Sequence, residues 1–358
     1  MLTRRTRTAV VVSAVAVLMV AIAIVTTLAR SDRRAVMTQP QDLSQITLID
    51  SRTGWALTKN GQVLRTVDGG ATWADVSTPQ TPLEVQFPPT IGTCFFDGQT
   101  AFVATNAGTA NLPKIVVYRT SDKGSTWDST NILTKLDWEK GDIGGVKISF
   151  ADASNGYLMI TGTPGAGQMA KSLYRTTDGG KTFSFIRDIT GMTDVAGTMN
   201  GIAGYPTGMT FSTPENGFVT CSYSAYTFVL MFKTTDGGTT WKLWSLPVPA
   251  AYESLSPAND YYADAYPPVF FGDQKKNGVV MLDYVQYYAH KIGKLVMQSY
   301  QTADGGATWS LGPVSNDPNV KTYSFSDSSN GWGLDQDGKV FTTTDGGATW
   351  VSLKTSNP

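Results

Sequence analysis

The stretch TTDGGATW at residues 343–350 decides the fold, because it is the last of six copies of one pattern. Each copy reads Thr-x-Asp-x-Gly-x-Thr followed by Trp or Phe, and we call it a turn motif. The five earlier copies are TVDGGATW (66–73), TSDKGSTW (120–127), TTDGGKTF (176–183), TTDGGTTW (234–241) and TADGGATW (302–309). Six matches in one chain indicate a tandem-repeat architecture.

The residues around each turn motif also repeat. A short alternating stretch comes first, then a turn that commonly ends in Gly plus a large apolar residue, as in Gly54-Trp55 and Gly331-Trp332. A second strand, a loop and a third strand lead to the motif, and a fourth strand follows it. Successive motif aspartates lie 54, 56, 58, 68 and 41 residues apart, which is room for one four-stranded unit each. The sequence therefore predicts an all-β, six-bladed β-propeller of four-stranded antiparallel blades over residues 44–358.

The turn motif predicts a hairpin turn held by its own side chains. Glycine supplies a positive φ, and the aspartate carboxylate accepts hydrogen bonds from backbone N–H groups of the turn. The threonine hydroxyl adds a further bond, and the tryptophan packs back across the blade. We therefore expect a structural role for all six aspartates, which are Asp68, Asp122, Asp178, Asp236, Asp304 and Asp345.

The N-terminal segment predicts a membrane attachment. Residues 9–29 form an uncharged, predominantly apolar run of 21 residues, long enough to span a bilayer as one helix. Cleavage as a signal peptide after residues 21–23 (Ala-Ile-Ala) is the alternative. We expect residues 1–34 to form the anchor or signal and residues 35–43 a linker. The propeller then lies outside the plasma membrane on a single-pass anchor, or is secreted if the segment is cleaved.

Charge and composition argue against several classes of function. Residues 35–358 carry 22 basic and 28 acidic side chains, a mildly acidic balance that lacks the basic surface of nucleic-acid-binding proteins. Cys94 and Cys221 lie in apolar stretches of different repeats, which predicts buried free thiols. With one histidine and no CxxC pair, the sequence predicts no metal site and no cofactor.

The six motifs resemble the Asp-box, or BNR, repeats of the sialidase superfamily, and the resemblance covers nearly all of residues 44–354. The order strand, Gly-Trp, strand, TTDGGATW is also similar to the photosystem II assembly and stability factor family and its non-photosynthetic bacterial relatives. The resemblance implies a propeller with the boxes between the third and fourth strands of each blade. A sialidase would need an arginine triad and an early Arg-Ile-Pro motif, neither of which we find, so we expect no catalytic residues of that type.

Tyrosines concentrate in the longest repeat and mark the predicted binding region. The insertion PVPAAYESLSPANDYYADAYPP and the stretch DYVQYYAHKIGK, which predicts an elongated hairpin, lie between two motifs. Tyrosine is favoured at interfaces because it joins a large apolar body to a polar tip. A loop that only packs over the propeller rim is the alternative. The candidate partner-binding residues are Tyr252, Tyr261, Tyr262, Asp264, Tyr266, Tyr284, Tyr287, Tyr288 and His290.

Two functional hypotheses follow from the sequence. The first is a membrane-tethered, non-enzymatic scaffold that binds another protein or a cell-envelope polymer. The second is a carbohydrate-binding protein or glycoside hydrolase, which two convergent carboxylates beside aromatic rings would favour. A purely structural domain is a third possibility.

Overall fold

A computed structural model describes residues 36–38, 40, 42–79, 91–107, 114–133, 143–165, 169–189, 201–222, 229–253, 261–288, 291–315 and 320–353. The predicted membrane segment at residues 9–29 lies outside these residues. Within them, no helix is long and apolar enough to cross a membrane.

Six antiparallel sheets form the six blades of an all-β propeller, as predicted. Each sheet is built from consecutive strands. Blade 1 contains β1 (Val36–Met37), β2 (Leu43–Leu48), β3 (Gly54–Thr58), β4 (Val63–Thr66) and β5 (Trp73–Asp75). Blade 2 contains β6 (Ile91–Phe95), β7 (Ala101–Asn106), β8 (Lys114–Thr120) and β9 (Asp128–Leu133). Blade 3 contains β10 (Ile143–Phe150), β11 (Gly156–Gly162), β12 (Lys171–Thr176) and β13 (Ser184–Asp188).

The remaining three blades follow the same order. Blade 4 contains β14 (Tyr205–Phe211), β15 (Gly217–Ser222), β16 (Met231–Thr234) and β17 (Lys242–Leu243). Blade 5 follows a 3₁₀ turn (Ala250–Tyr252) and contains β18 (Tyr261–Ala265), β19 (Val269–Phe271), β20 (Asn277–Tyr288), β21 (Lys291–Thr302) and β22 (Ser310–Ser315). Blade 6 contains β23 (Val320–Phe325), β24 (Gly331–Asp335), β25 (Val340–Thr343) and β26 (Val351–Ser352).

The start of blade 1 extends into the predicted linker. Strand β2 begins at Leu43, and the two-residue β1 lies beside β5 at the outer edge of the first sheet. Residues 36–37 therefore add a fifth strand to a blade predicted to have four.

The second strand of each blade is buried on both faces because neighbouring blades cover it. All seven residues of β11 are buried, and its sequence GYLMITG is almost continuously apolar. In blades 2 and 3, the aromatic residue at the second position of the second strand stacks on the phenylalanine that ends the first strand of the next blade. Phe102 stacks on Phe150 with ring centroids 3.5 Å apart, and Tyr157 stacks on Phe211 at the same separation. The hydrophobic core is thus a set of inter-blade layers.

The turn motif makes one set of hydrogen bonds in all six blades. In blade 3, Asp178 Oδ1 accepts the Thr182 amide at 2.9 Å and the Thr176 hydroxyl at 2.8 Å, and Asp178 Oδ2 accepts the Thr182 hydroxyl. The Gly180 amide in turn donates to Thr176 Oγ1. Bonds of the same kind occur at Asp68, Asp122, Asp236, Asp304 and Asp345.

A second aspartate turn, which the sequence analysis did not identify, connects the first and second strands. Asp152 Oδ1 accepts the amides of Ser154 and Asn155, each at 2.8 Å. The Gly179 amide of the turn motif then donates to Ser154 O at 2.9 Å, which ties the two turns together at one end of the blade. Asp50, Asp97 and Asp327 form the same turn in their blades.

The sixth blade contacts the first through the same kind of bond that joins blades 3 and 4. Ser149 Oγ of blade 3 accepts the Phe211 amide of blade 4 at 2.9 Å, and Ser324 Oγ of blade 6 accepts the Leu48 amide of blade 1 at 3.0 Å. The sequence left the mode of closure open. In the described residues the ring closes by side-chain packing and these bonds, without exchange of a strand between blades 1 and 6.

One lysine reaches across the ring. Lys275, in the turn between β19 and β20 of blade 5, donates to Ala151 O of blade 3 at 2.6 Å. Its ammonium group also lies 4.9 Å from the centre of the Phe96 ring in blade 2. A single side chain therefore connects three blades that are not all neighbours.

Candidate functional site on blade 5

Blade 5 differs from the others in both its first strand and its central hairpin. Residues 266–268 (Tyr-Pro-Pro) interrupt the first strand, so that β18 and β19 pair separately with β20. Proline cannot donate a ladder hydrogen bond, which explains the break. The predicted elongated hairpin is confirmed, because β20 and β21 each contain 12 residues.

Several predicted binding residues are core residues in the structure. Tyr252, Tyr261 and Tyr284 are 6%, 7% and 2% exposed. The rings of Tyr252 and Tyr284 stack at 4.5 Å, and those of Tyr252 and Tyr261 lie 5.1 Å apart. These three side chains pack between blades 4 and 5, so the surface predicted from them is not exposed to a partner in this conformation.

The Tyr284 hydroxyl continues into a buried hydrogen-bond chain. The Tyr300 hydroxyl donates to Pro247 O at 2.9 Å and lies 2.8 Å from the Tyr284 hydroxyl, which must therefore donate to it. Burial raises the pKa of Tyr284 to about 12. The insertion before β18 is consequently held to the blade by polar as well as apolar contacts.

The opposite face of β18 carries the polar candidates. Side chains alternate along a strand, so Tyr262 and Asp264 point away from the buried Tyr261. Asp264 is the register partner of Asp283 on β20, which places the two carboxylates side by side on one face. We call Asp264 and Asp283, together with Tyr266, Lys321 and Tyr323, the acid-pair site.

Blade 6 completes the acid-pair site. Asp283 Oδ2 accepts the Tyr266 hydroxyl at 2.8 Å and the Lys321 ammonium at 3.2 Å. The Tyr323 hydroxyl accepts the Met281 amide and donates to Pro267 O, which fixes β20 and the proline break against β23. Asp283 is only 4% exposed, and its Oδ1 atom has no hydrogen-bond partner among the described residues.

The two carboxyl groups differ in their surroundings. Burial, followed by the neighbouring Asp283, raises the pKa of Asp264 to about 6, although Lys321 acts in the opposite direction. Burial also raises the pKa of Asp283, against the lowering effect of Lys321 and of the Tyr266 hydroxyl. Burial and then the charge of Asp283 raise the pKa of Tyr266. The Asp264 carboxyl can therefore hold a proton up to about pH 6.

The other predicted residues lie away from this site or outside the description. Tyr287 and Tyr288 are the last two residues of β20, at the hairpin tip, and His290 lies outside the described residues. Lys321 and Tyr323 were missed because they belong to another repeat. Within the described part of the chain, no three His, Cys, Asp or Glu residues are grouped to hold a metal ion.

Comparison with known proteins supports the fold. Residues 61–203 match a family model described as "Sortilin, neurotensin receptor 3", a span shorter than half of the chain. No curated protein shows significant sequence similarity. The α-L-arabinanase of Penicillium chrysogenum, solved with arabinobiose, has a TM-score of 0.51 at 11% identity, covering 75% of this chain and 82% of that one.

Two structures of YCF48 also align. YCF48 bound to D1 peptide has a TM-score of 0.45 at 16% identity, covering 88% of this chain and 96% of that one. YCF48 from Cyanidioschyzon merolae has a TM-score of 0.47 at 16% identity, covering 89% of this chain and 87% of that one. Of the three alignments, only that of the arabinanase exceeds a TM-score of 0.5, and at 11% identity it supports the fold alone.

Proposed function

We propose that this chain is an extracytoplasmic propeller, tethered to the membrane by residues 9–29, that binds another protein or an envelope polymer without catalysing a reaction. We also propose that its turn motifs are Asp boxes of the sialidase-like type, in the pattern of the photosystem II assembly factor-like propellers. The repeated Thr–Asp hydrogen bonds support the second proposal, and the apolar N-terminal run supports the tether.

The long hairpin of blade 5 is the observation that carries the binding proposal. The corresponding hairpin strands of the other blades contain four to seven residues, whereas β20 and β21 contain 12. At about 3.3 Å per residue, five extra residues extend the hairpin by roughly 16 Å. The backbone of Tyr287 and Tyr288 lies in this extension, with Tyr288 paired to Lys291. A projecting hairpin that ends in two tyrosines suits a protein-recognition element.

The test shortens the hairpin without changing the propeller. Residues 286–294 are replaced by Asn-Gly, a two-residue hairpin turn that leaves Val285 and Leu295 as the last register pair. The matched control replaces residues 108–113 of blade 2 by Asn-Gly and keeps the bond from the Ala107 amide to Lys114 O. Each full-length, tagged variant is crosslinked in cells, and captured proteins are identified by mass spectrometry.

We expect a specific protein with the unmodified chain and the control, and its loss with the shortened hairpin. A double substitution, Tyr287→Ser with Tyr288→Ser, separates the side chains from the length of the hairpin. Capture that is unchanged by the shortening would move the partner surface away from blade 5. A chain that captures nothing specific in any form would contradict the scaffold proposal.

The acid-pair site favours carbohydrate binding or hydrolysis as a second candidate. Asp264 and Asp283 are adjacent carboxylates beside tyrosine rings, and glycoside hydrolases use a pair of carboxylates across the scissile bond. Glycan binding and hydrolysis should be measured for the unmodified protein and for Asp283→Asn. Binding or turnover that is lost with Asp283→Asn would support this candidate, and an absence of both would remove it.

A further inference from the structure

The hydrogen bonding of the buried Asp283 carboxylate is incomplete by one donor. Its Oδ2 atom has two donors, the Tyr266 hydroxyl and the Lys321 ammonium, whereas its Oδ1 atom has none among the described residues. A buried acceptor without a donor costs free energy, and in native proteins such atoms are rare. The question is which neighbour supplies the hydrogen.

Asp264 is the group placed to supply it. Directly opposed residues of an antiparallel pair have Cβ atoms roughly 4.5–5.5 Å apart, and Asp264 opposes Asp283 on the same face of the sheet. A carboxyl group donates a hydrogen bond only when it is protonated. A neutral Asp264 is therefore a donor on the same face as the Oδ1 atom, whereas an ionised Asp264 places two like charges side by side.

The surrounding elements place one positive charge beside the two carboxyl groups. Asp283 faces Asp264 from β20, and Tyr262 and Tyr266 flank Asp264 along its own chain segment. Lys321 and Tyr323 belong to β23 of blade 6. Within the described residues, Lys321 is the cation that acts on Asp264. One proton shared by two carboxylates leaves a charge of −1, which the lysine ammonium balances.

We infer that Asp264 and Asp283 share one proton and make the pairing of β18 with β20 within blade 5 pH-responsive, so that it tightens as the pH falls toward 5 and loosens as it rises toward 8. The raised pKa of Asp264, about 6, agrees with this geometry. Because the folded pKa lies above the ordinary value of 3.8, the folded chain binds more protons than the unfolded chain between these values. Stability must therefore fall as the pH rises through about 6.

The experiment measures the melting temperature of the whole chain from pH 5 to pH 8. In Asp264→Asn the amide group donates to Asp283 Oδ1 at every pH, so we expect this variant to lose less stability than the unmodified protein as the pH rises. Asp273→Asn, which changes an exposed acid of the same blade, is the matched control and should follow the unmodified protein. Equal pH dependence in all three proteins would overturn the inference.

Infrared difference spectra give a readout that does not depend on stability. We expect a protonated-carboxyl band at pH 5 that disappears by pH 8 and is missing in Asp264→Asn. In Lys321→Met the lowering effect of the ammonium is removed, so the band should persist to higher pH. A spectrum of the unmodified protein without a protonated carboxyl at pH 5 refutes the shared proton, whatever the binding assays show.

Discussion

Replacing Ser149 by alanine tests how the blades are joined. Strand β14 is the first strand of its sheet, so the Phe211 amide finds its acceptor in the neighbouring blade, at Ser149 Oγ. Both residues are buried, at 6% and 1% exposure. Loss of the acceptor leaves a buried N–H group without a partner, which costs about 1–3 kcal/mol. The entropy of unfolding is about 2.1 cal/mol/K per residue, or about 0.6 kcal/mol/K for roughly 300 residues. Dividing the free-energy loss by this entropy gives a fall in melting temperature of about 2–5 °C.

The assay is thermal unfolding with amide hydrogen exchange at Phe211. Ser149→Cys is the informative companion, because Cys94 already accepts the Phe150 amide at the equivalent position between blades 2 and 3. We expect the cysteine variant to recover much of the lost stability, and the exposed Ser310→Ala to change little. A melting temperature for Ser149→Ala within about 1 °C of the unmodified protein, with unchanged exchange at Phe211, would refute the reasoning.

Three further predictions concern other contacts. Tyr300→Phe removes the hydroxyl that donates to Pro247 O, so the free energy of unfolding in urea should fall by about 1–3 kcal/mol. An unchanged free energy of unfolding would show that the buried chain of hydroxyls does not stabilise the fold. Lys275→Met leaves Ala151 O without its donor and should destabilise the protein by a similar amount, as measured by chemical unfolding. An unchanged free energy of unfolding would show that this bond does not stabilise the ring. Hydrogen bonds from Thr182 lower the pKa of Asp178 to about 2, so its contribution to stability is present above about pH 4 and lost as the pH falls toward 2. An acid titration of Asp178→Asn should therefore be flatter than that of the unmodified protein, and identical curves would contradict the assignment.

The fold was predictable because the decisive interactions are local. The side-chain hydrogen bonds of the motif aspartate form within its eight residues, so Asp178 and Thr182 are recognisable from sequence alone. The spacing of the motifs then left room for one blade each. The turn at Asp152 is equally local but was missed, because its pattern varies more between repeats.

The site was less predictable because burial depends on neighbouring blades. Tyr261 and Tyr262 are adjacent in sequence, yet only Tyr261 lies in the core between blades 4 and 5. Strand alternation predicts that the two side chains lie on opposite faces of the sheet. It does not predict which of the two faces the neighbouring blade covers. Lys321 lies 38 residues from Asp283 in the chain, and no sequence pattern links the two.

The bond from the Leu48 amide to Ser324 means that the tandem array has no free end. In an open array of repeats, each unit contacts only its neighbours and the terminal units have one neighbour instead of two. Here every blade is flanked on both sides, and Lys275 adds a tie across the middle. No blade can leave without breaking two interfaces, so we expect the six repeats to unfold in a single cooperative transition rather than one after another.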